Sequence, residues 1–217
     1  MNEITEKSTA TTTRNTDEKK KKRTVLLIVL LILLVVGVLL FFLLRDGGTF
    51  SSVPTVTIET PDKKSVSDRE PFSLQVQLSA LGEDSYPAAS FSIGFDPSKL
   101  EFIGLDEGNV IISNSDNAYG VSLPEWSVNV ERANETGVIN IMYLDMTGGR
   151  YAFSGDLLED DNVLFFLNFR LRGSVRAGDI LELSLDDAVF AANDEQKSLA
   201  SNKNTLKTVN GRVVIGE

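Results

Sequence analysis

The side chains that could do chemistry in this 217-residue chain are chiefly its 31 carboxylates, because the chain contains no Cys and no His. Without those two residue types it cannot assemble a thiolate nucleophile, a thiol-based zinc site or a Ser-His-Asp triad. Carboxylate pairs for glycoside hydrolysis, Ser-Lys dyads and oxygen-ligand metal sites remain available. We therefore expect a protein that is not an enzyme.

Three acidic clusters are candidate Ca²⁺ ligands, at residues 156–161, 186–187 and 194–195. None of them follows the ligand spacing of an EF-hand loop. A glycosidase needs two carboxylates at a defined separation in space, and the sequence indicates no such pair. We interpret the clusters as solvated acidic loops. The sequence therefore predicts no catalytic residue, no cofactor and no metal ligand in this chain.

The net charge of −10 is distributed over three unlike segments. Residues 1–24 carry seven basic and four acidic side chains, a net charge of +3. Residues 25–44 carry no charge, and residues 45–217 carry 14 basic and 27 acidic side chains, a net charge of −13. This distribution is not that of a single acidic soluble protein.

The uncharged segment begins at Val25 and ends at Leu44, and Gly37 is its only residue that is not hydrophobic. A helix of this length covers the hydrocarbon core of about 30 Å. A buried helix of a globular domain would show a polar face, which this segment lacks. A cleaved signal peptide, the alternative, needs a shorter apolar region followed by small residues, and residues 43–46 (LLRD) are not small. We predict an uncleaved transmembrane helix.

The flanking charges predict the orientation of this helix in the bilayer. Five consecutive basic residues occupy positions 19–23, whereas Arg45 stands alone on the other side. The positive-inside rule then gives a single-pass protein of the cell membrane with a cytoplasmic N-terminus and an extracellular C-terminal domain. Residues 1–24 are predicted to be a disordered basic tail, 45–54 a linker and 55–217 the outer domain. We expect no nucleic-acid partner, because a basic run beside a hydrophobic span is more simply a topology signal.

The outer domain alternates apolar and polar residues with a period of two, which is typical of half-buried strands. Residues 72–79 (FSLQVQLS) alternate throughout, and residues 163–171 form the longest apolar stripe. With turn signals such as Asp96-Pro97 and Asn210-Gly211, the pattern predicts nine to eleven short strands in an all-β sandwich, of jelly-roll or Greek-key topology. Further strands are predicted near residues 55–59, 91–95, 100–105, 110–112, 126–130, 139–143, 181–185, 189–191 and 213–215.

Residues 91–105 (FSIGFDPSKLEFIGL) resemble a segment of cohesin domains, in which an apolar strand runs into a Tyr/Phe-Asp-Pro turn, Leu-Glu and a short strand. The similarity extends over residues 54–216 and depends on the order and spacing of several segments. Four further segments resemble later strands of the family: residues 138–149, 161–171, 183–191 (LSLDDAVFA) and 209–215 (VNGRVVI).

The resemblance implies a nine-stranded jelly-roll β-sandwich that binds a dockerin, a small calcium-loop module attached to enzymes or scaffold proteins of polysaccharide-degrading surface complexes. Calcium is then expected in the partner. The resemblance also implies a flat binding face on the third, fifth and sixth strands. Its outward positions here would be Ala88, Ser90, Ser92, Ser127, Asn129, Leu144 and Met146.

Many dockerin-binding cohesins carry Asn, Asp or Glu at several of these positions, whereas this chain has mostly small or apolar residues. We therefore expect a hydrophobic recognition face with Leu144 and Met146 as its anchors. The alternative is that the face is merely solvated, or that the inside/outside alternation is shifted by one residue in this strand.

Two other functions stay open from the sequence. A surface carbohydrate-binding module would bind polysaccharide through exposed aromatic side chains, for which Tyr86, Tyr119, Trp126, Tyr143 and Tyr151 are the candidates. Trp126 is in phase with an apolar stripe, so we expect it in the core. The third possibility is a structural or adhesive sandwich without a dockerin partner.

Overall fold

The computed structural model describes residues 53–113 and 120–217. The predicted tail, the predicted transmembrane helix from Val25 to Leu44 and nearly all of the predicted linker lie outside the described residues. Within the described ranges, no helix is both long enough and apolar enough to cross a membrane.

Strands account for most of the regular structure. Fourteen strands are formed by the described residues, of which nine have three or more residues. The longer strands are β1 (Thr55–Ile58), β3 (Phe72–Leu78), β5 (Ala88–Gly94), β6 (Leu100–Glu107), β8 (Val138–Leu144), β10 (Val163–Leu171), β11 (Ile180–Ala191), β13 (Lys207–Val209) and β14 (Gly211–Gly216). The two-residue strands are β2 (Lys64–Ser65), β4 (Ser85–Tyr86), β7 (Ser127–Val128), β9 (Phe153–Ser154) and β12 (Leu199–Ala200). Helical structure comprises α1 (Val130–Thr136) and 3₁₀ turns at Gly155–Leu157, Glu195–Lys197 and Ser201–Lys203.

The longer strands form two sheets. One has the order β13-β1-β3-β10-β6, and the other has the order β2-β14-β11-β5-β8-β7 with β12 attached to β11. Pairing is antiparallel except between β1 and β13 and between β14 and β2. The two remaining strands, β4 and β9, pair with each other. The predicted all-β sandwich is therefore confirmed.

The alternating residues of the two sheets meet in one core. Phe165, Leu167 and Phe169 of β10 are completely buried, as the predicted stripe requires. Phe91 of β5 packs across the sandwich against Phe165, with ring centroids 5.6 Å apart. Trp126 lies 5.1 Å from the Phe165 ring and donates a hydrogen bond from Nε1 to the Leu164 carbonyl oxygen at 3.2 Å. Trp126 is therefore partly buried and packs against the core.

The predicted strand over residues 126–130 is largely wrong, because the chain turns into the helix α1 after Val128. The Oδ1 atom of Asn129 accepts a hydrogen bond from the backbone N–H of Arg132 at 2.8 Å and so caps the helix. Gly137, with φ of 72°, ends the helix in the left-handed conformation. Residues 134–137 therefore form the end of α1 and its cap.

Two contacts connect α1 and its cap to the edges of the sheets. Asn134 accepts a hydrogen bond from the Phe102 N–H at 2.9 Å and donates one to the Phe102 carbonyl oxygen at 2.7 Å. The Phe95 N–H donates to the Gly137 carbonyl oxygen at 2.8 Å. A Cβ added to Gly137 would lie only 2.7 Å from the Phe95 carbonyl oxygen. This corner of the molecule is therefore closely packed.

Two further strand predictions need correction. Residues 110–112 form no continuous strand, and Ile112 takes part only in an isolated bridge with Ser122. Residues 181–185 and 189–191, predicted as separate strands, belong to the single long strand β11. The pairing of β11 with β5 shifts register between Leu185 and Asp187, and this irregularity interrupts the alternation on which the sequence prediction relied.

Candidate protein-binding face

The outward side of β5, β7 and β8 forms a continuous surface that we call the central face. Ala88 lies opposite Leu144, and Ser90 lies opposite Met142, which in turn pairs with Ser127 on its other side. None of the nine outward residues is charged, although residues 45–217 carry a net charge of −13. The central face comprises Ala88, Ser90, Ser92, Gly94, Ser127, Val138, Asn140, Met142 and Leu144.

The two long strands of the central face differ in the size of their outward side chains. Along β5 the outward side chains are small, since Ala88, Ser90 and Ser92 occupy those positions. Along β8, Met142 and Leu144 are both 52% exposed, whereas Tyr143 between them is buried. The inside/outside alternation predicted from the sequence therefore holds in this strand. Met142, which the sequence prediction omits, lies at the centre of the face.

Met146 lies just beyond the end of β8, in a turn held by Asp145. One carboxylate oxygen of Asp145, Oδ1, accepts hydrogen bonds from the Thr147 N–H at 2.9 Å and from the Thr147 hydroxyl at 2.6 Å. Its other oxygen accepts one from the Gly149 N–H. The backbone N–H of Asp145 donates to the Pro87 carbonyl oxygen at 2.8 Å, which ties the turn to the start of β5. Met146 is 83% exposed and projects beside the central face.

The ionisation of two side chains supports this arrangement. Burial would raise the pKa of the Asp145 carboxyl, but hydrogen bonds from the Thr147 hydroxyl and from backbone N–H groups outweigh it and lower that pKa. Burial also raises the pKa of the Tyr143 hydroxyl to about 12, with a further contribution from the Asp145 carboxylate. The hydroxyl is therefore protonated at neutral pH and donates to the Tyr151 carbonyl oxygen at 3.0 Å.

Asn129 differs from the other predicted face residues. It follows the last residue of β7 and is the N-cap of α1, so it does not continue a strand as the sequence predicted. Its side chain is exposed, but its Oδ1 atom is occupied by the Arg132 N–H. Five of the seven predicted residues therefore lie on the central face and Met146 lies in the adjoining turn. Asn129 caps α1 and also lines an open depression together with Ser90 and Ser127.

Open depressions lie on both sides of Met142. The first has a volume of about 470 Å³ and is lined by Leu123, Tyr151, Met146 and the two acids Glu125 and Asp145, among others. The second has a volume of about 570 Å³ and includes Ser92, Asn140 and Asp187. Both depressions share Ser127 and Met142. A partner could therefore place side chains on either side of the Met142 thioether.

An aromatic platform for sugar binding is absent from the described residues. The large hydrophobic side chains exposed there are all aliphatic or Met. Tyr86 and Tyr143 are buried, and Trp126 and Tyr151 are partly buried and packed against the core. Tyr119 lies outside the described residues. This distribution does not favour the carbohydrate-binding alternative.

The acidic clusters predicted to be solvated loops show local structural roles. Asp194 Oδ1 accepts a hydrogen bond from the Gln196 N–H at 3.0 Å, and Asp187 Oδ1 accepts one from the Ser201 hydroxyl at 3.1 Å. Over residues 53–113 and 120–217, no group of three or more acidic side chains is arranged to hold a metal ion.

An uncharged, partly apolar sheet face on an all-β sandwich is the kind of surface that marks interaction sites. The match to a family model is more specific. The model described as Cohesin domain matches residues 54–211, and the chain therefore belongs to the cohesin family. The resemblance predicted from the sequence is confirmed, and cohesin modules are non-catalytic binding domains.

Solved cohesin structures have the same fold at low sequence identity. The third cohesin of ScaC from Acetivibrio cellulolyticus, solved in complex with the ScaB dockerin, is 17% identical with a TM-score of 0.55. The OlpA cohesin from Clostridium thermocellum, solved in complex with a dockerin, is 20% identical with a TM-score of 0.55. Each match covers 76% of this chain and 99% of the other.

A cohesin described as non-cellulosomal, from the hyperthermophilic archaeon Archaeoglobus fulgidus, is 15% identical with a TM-score of 0.51. That match covers 76% of this chain and 94% of the other. No curated protein matches this chain.

Proposed function

We propose that this protein is a membrane-anchored receptor that binds a dockerin-like module outside the cell through the central face and Met146. The observation that carries the binding proposal is the clustering of three exposed apolar side chains on a cohesin domain. Met142 and Leu144 lie on one sheet face, and Met146 lies in the turn beside it. Exposed apolar patches of this kind mark protein interaction sites.

The geometry of the face supports a close apolar contact. Small side chains on β5 allow a partner to approach the sheet, while Met142 and Leu144 on β8 supply apolar surface beside it. Full burial of a Leu or Met side chain contributes about 1.5–3 kcal/mol. Since Met146 is 83% exposed, it can contribute about 2 kcal/mol on that scale.

Membrane anchoring is supported by the amino-acid sequence of the N-terminal segment. The apolar run from Val25 to Leu44 has the length of a bilayer span, and the basic residues 19–23 favour a cytoplasmic N-terminus. We further propose that the dockerin-bearing partner belongs to a carbohydrate-active surface complex.

Capture of dockerin modules tests the binding proposal. Residues 51–217, which include the whole described sandwich, are immobilised and exposed to a panel of dockerin modules with calcium or with a chelator. We expect capture that calcium supports and the chelator abolishes, because dockerin loops fold around calcium. Retention on insoluble polysaccharide without dockerin capture would instead favour a carbohydrate-binding module, and binding to neither would favour an adhesive role.

Protease treatment of intact cells tests the anchoring proposal. With epitope tags at both ends of the full chain, we expect protease to remove the C-terminal tag and to leave the N-terminal tag protected. Protection of both tags, or loss of the N-terminal tag, would contradict the proposed orientation.

A further inference from the structure

The sulfur atoms of this chain are concentrated at the candidate site. The chain contains three methionines and no cysteine, and the methionines are Met1, Met142 and Met146. Two of the three therefore lie on or beside the central face. With exposures of 52% and 83%, both thioethers are accessible to small solutes.

We propose that Met142 and Met146 form a reversible oxidation site, an inference that rests on the proposed function. Oxidation of their thioethers to sulfoxides releases the dockerin-like partner from the central face. The oxidant is a peroxide. With hydrogen peroxide, a sulfur lone pair attacks one oxygen, an S–O bond forms as the O–O bond breaks, and the other oxygen leaves as hydroxide. The proton on the transferred oxygen passes to this hydroxide, which gives the sulfoxide and water. Sulfur loses two electrons and the peroxide gains them. Sulfoxide reductases reverse the change.

Oxidation at these positions alters the face without disturbing the core. In the free protein the new sulfoxide oxygen of Met142 or Met146 points into water, so the fold is retained. In the complex the same oxygen is buried against an apolar partner, where a polar group without a hydrogen-bond partner is unfavourable. Met142 is the more sensitive position, because it stands between both depressions at the centre of the face.

Competing peroxide chemistry is limited in the rest of the domain. The chain has no thiol to consume the oxidant. Trp126, the single tryptophan, is partly buried and packs against the core through Phe165 and Phe153. Mild peroxide should therefore modify the two methionines of the face before it damages the sandwich.

The test uses the full chain and a Met142→Leu/Met146→Leu double variant, which retains apolar side chains of similar volume. Each protein is treated with hydrogen peroxide and its peptides are examined by mass spectrometry. Binding is then measured to the calcium-loaded dockerin module of the panel that the unoxidised domain binds most tightly. We expect about ten- to a hundredfold weaker binding for the oxidised wild type. Whatever its starting affinity, the double variant should have the same Kd before and after peroxide treatment. Sulfoxide reductase should restore the binding of the oxidised wild type.

The outcomes separate this inference from the proposed function. Unchanged affinity of a chain that carries sulfoxide at both positions, or failure of peroxide to convert them, overturns the inference alone. If no dockerin is captured before oxidation, the proposed function is wrong and the effect on binding fails with it. A melted sandwich after mild oxidation, detected by circular dichroism, also contradicts the inference.

Discussion

Replacing Leu144 by Asp should weaken partner capture about a hundredfold while the sandwich stays folded. The Leu144 side chain is 52% exposed, so its complete burial by a partner is worth about half of the full value for Leu, or about 1 kcal/mol. An aspartate there also buries an unpaired carboxylate, which costs about 2 kcal/mol more. The sum of about 3 kcal/mol corresponds to about two powers of ten in Kd.

Ile180→Asp is the matched control for this substitution. Ile180 is 54% exposed on β11, where it lies opposite Val214 and away from β8. Both variants place the same charge at a similarly exposed aliphatic position. We measure Kd by isothermal titration calorimetry and stability by urea unfolding. Equal Kd values for the Leu144→Asp and Ile180→Asp variants, both folded, would refute the assignment of the central face.

Three further predictions concern the stability of the fold and the turn that follows β8. Asn134→Ala removes the hydrogen bonds to Phe102 and should lower the free energy of unfolding by about 2 kcal/mol in urea titrations, whereas no change would contradict the bracing role of Asn134. Gly137→Ala should cost a similar amount, about 2 kcal/mol, because φ is positive and the Phe95 carbonyl oxygen is close; a thermal unfolding midpoint equal to wild type would be inconsistent with this geometry. The pKa of the Asp145 carboxyl is lowered, so its ionised form stabilises the turn fully at pH values above the ordinary Asp pKa of about 3.9. This stabilisation is lost as the pH falls through the lowered pKa. The Met146 methyl resonance should therefore be constant down to about pH 4 and change below it, and a transition above pH 4 would contradict the hydrogen-bonded carboxylate.

The strands were predictable wherever one face is buried and the alternation is regular. Residues 72–79 and 163–171 were predicted from period-two patterns, and β3 and β10 occupy nearly the same positions. The pattern succeeds there because each inward side chain fills the space between the two sheets. Register shifts defeat it elsewhere, as in β11, where the irregularity at Asp187 made one strand look like two.

The helix α1 was missed because its local signals compete with strand alternation. Trp126, Val128 and Val130 alternate as strand residues do, yet Asn129 and Gly137 are a helix N-cap and a C-terminal glycine at compatible spacing. Tertiary contacts favour the helix over the strand. From its place in the helix, Asn134 forms hydrogen bonds with both the N–H and the carbonyl oxygen of Phe102. Those contacts are not visible in the sequence.

The candidate face was predictable in position but incomplete in content. The alternation that places Leu144 outward also places Met142 outward, so the sequence contained the signal for this omitted residue. Met146 was predicted on the same strand, whereas it lies in a turn that depends on the hydrogen bonds of Asp145. That dependence involves residues 145–149 and Pro87 together, which a strand pattern does not encode.

The most direct test of the central claim is a methyl NMR titration of residues 51–217 labelled at the methionine methyl groups. This segment contains only Met142 and Met146, so each of its methionine signals reports on the candidate face. We predict that a captured, calcium-loaded dockerin module shifts both signals and that a calcium chelator returns them to their original positions. Two unchanged signals at a saturating concentration of the module would contradict the claim that this face binds a dockerin.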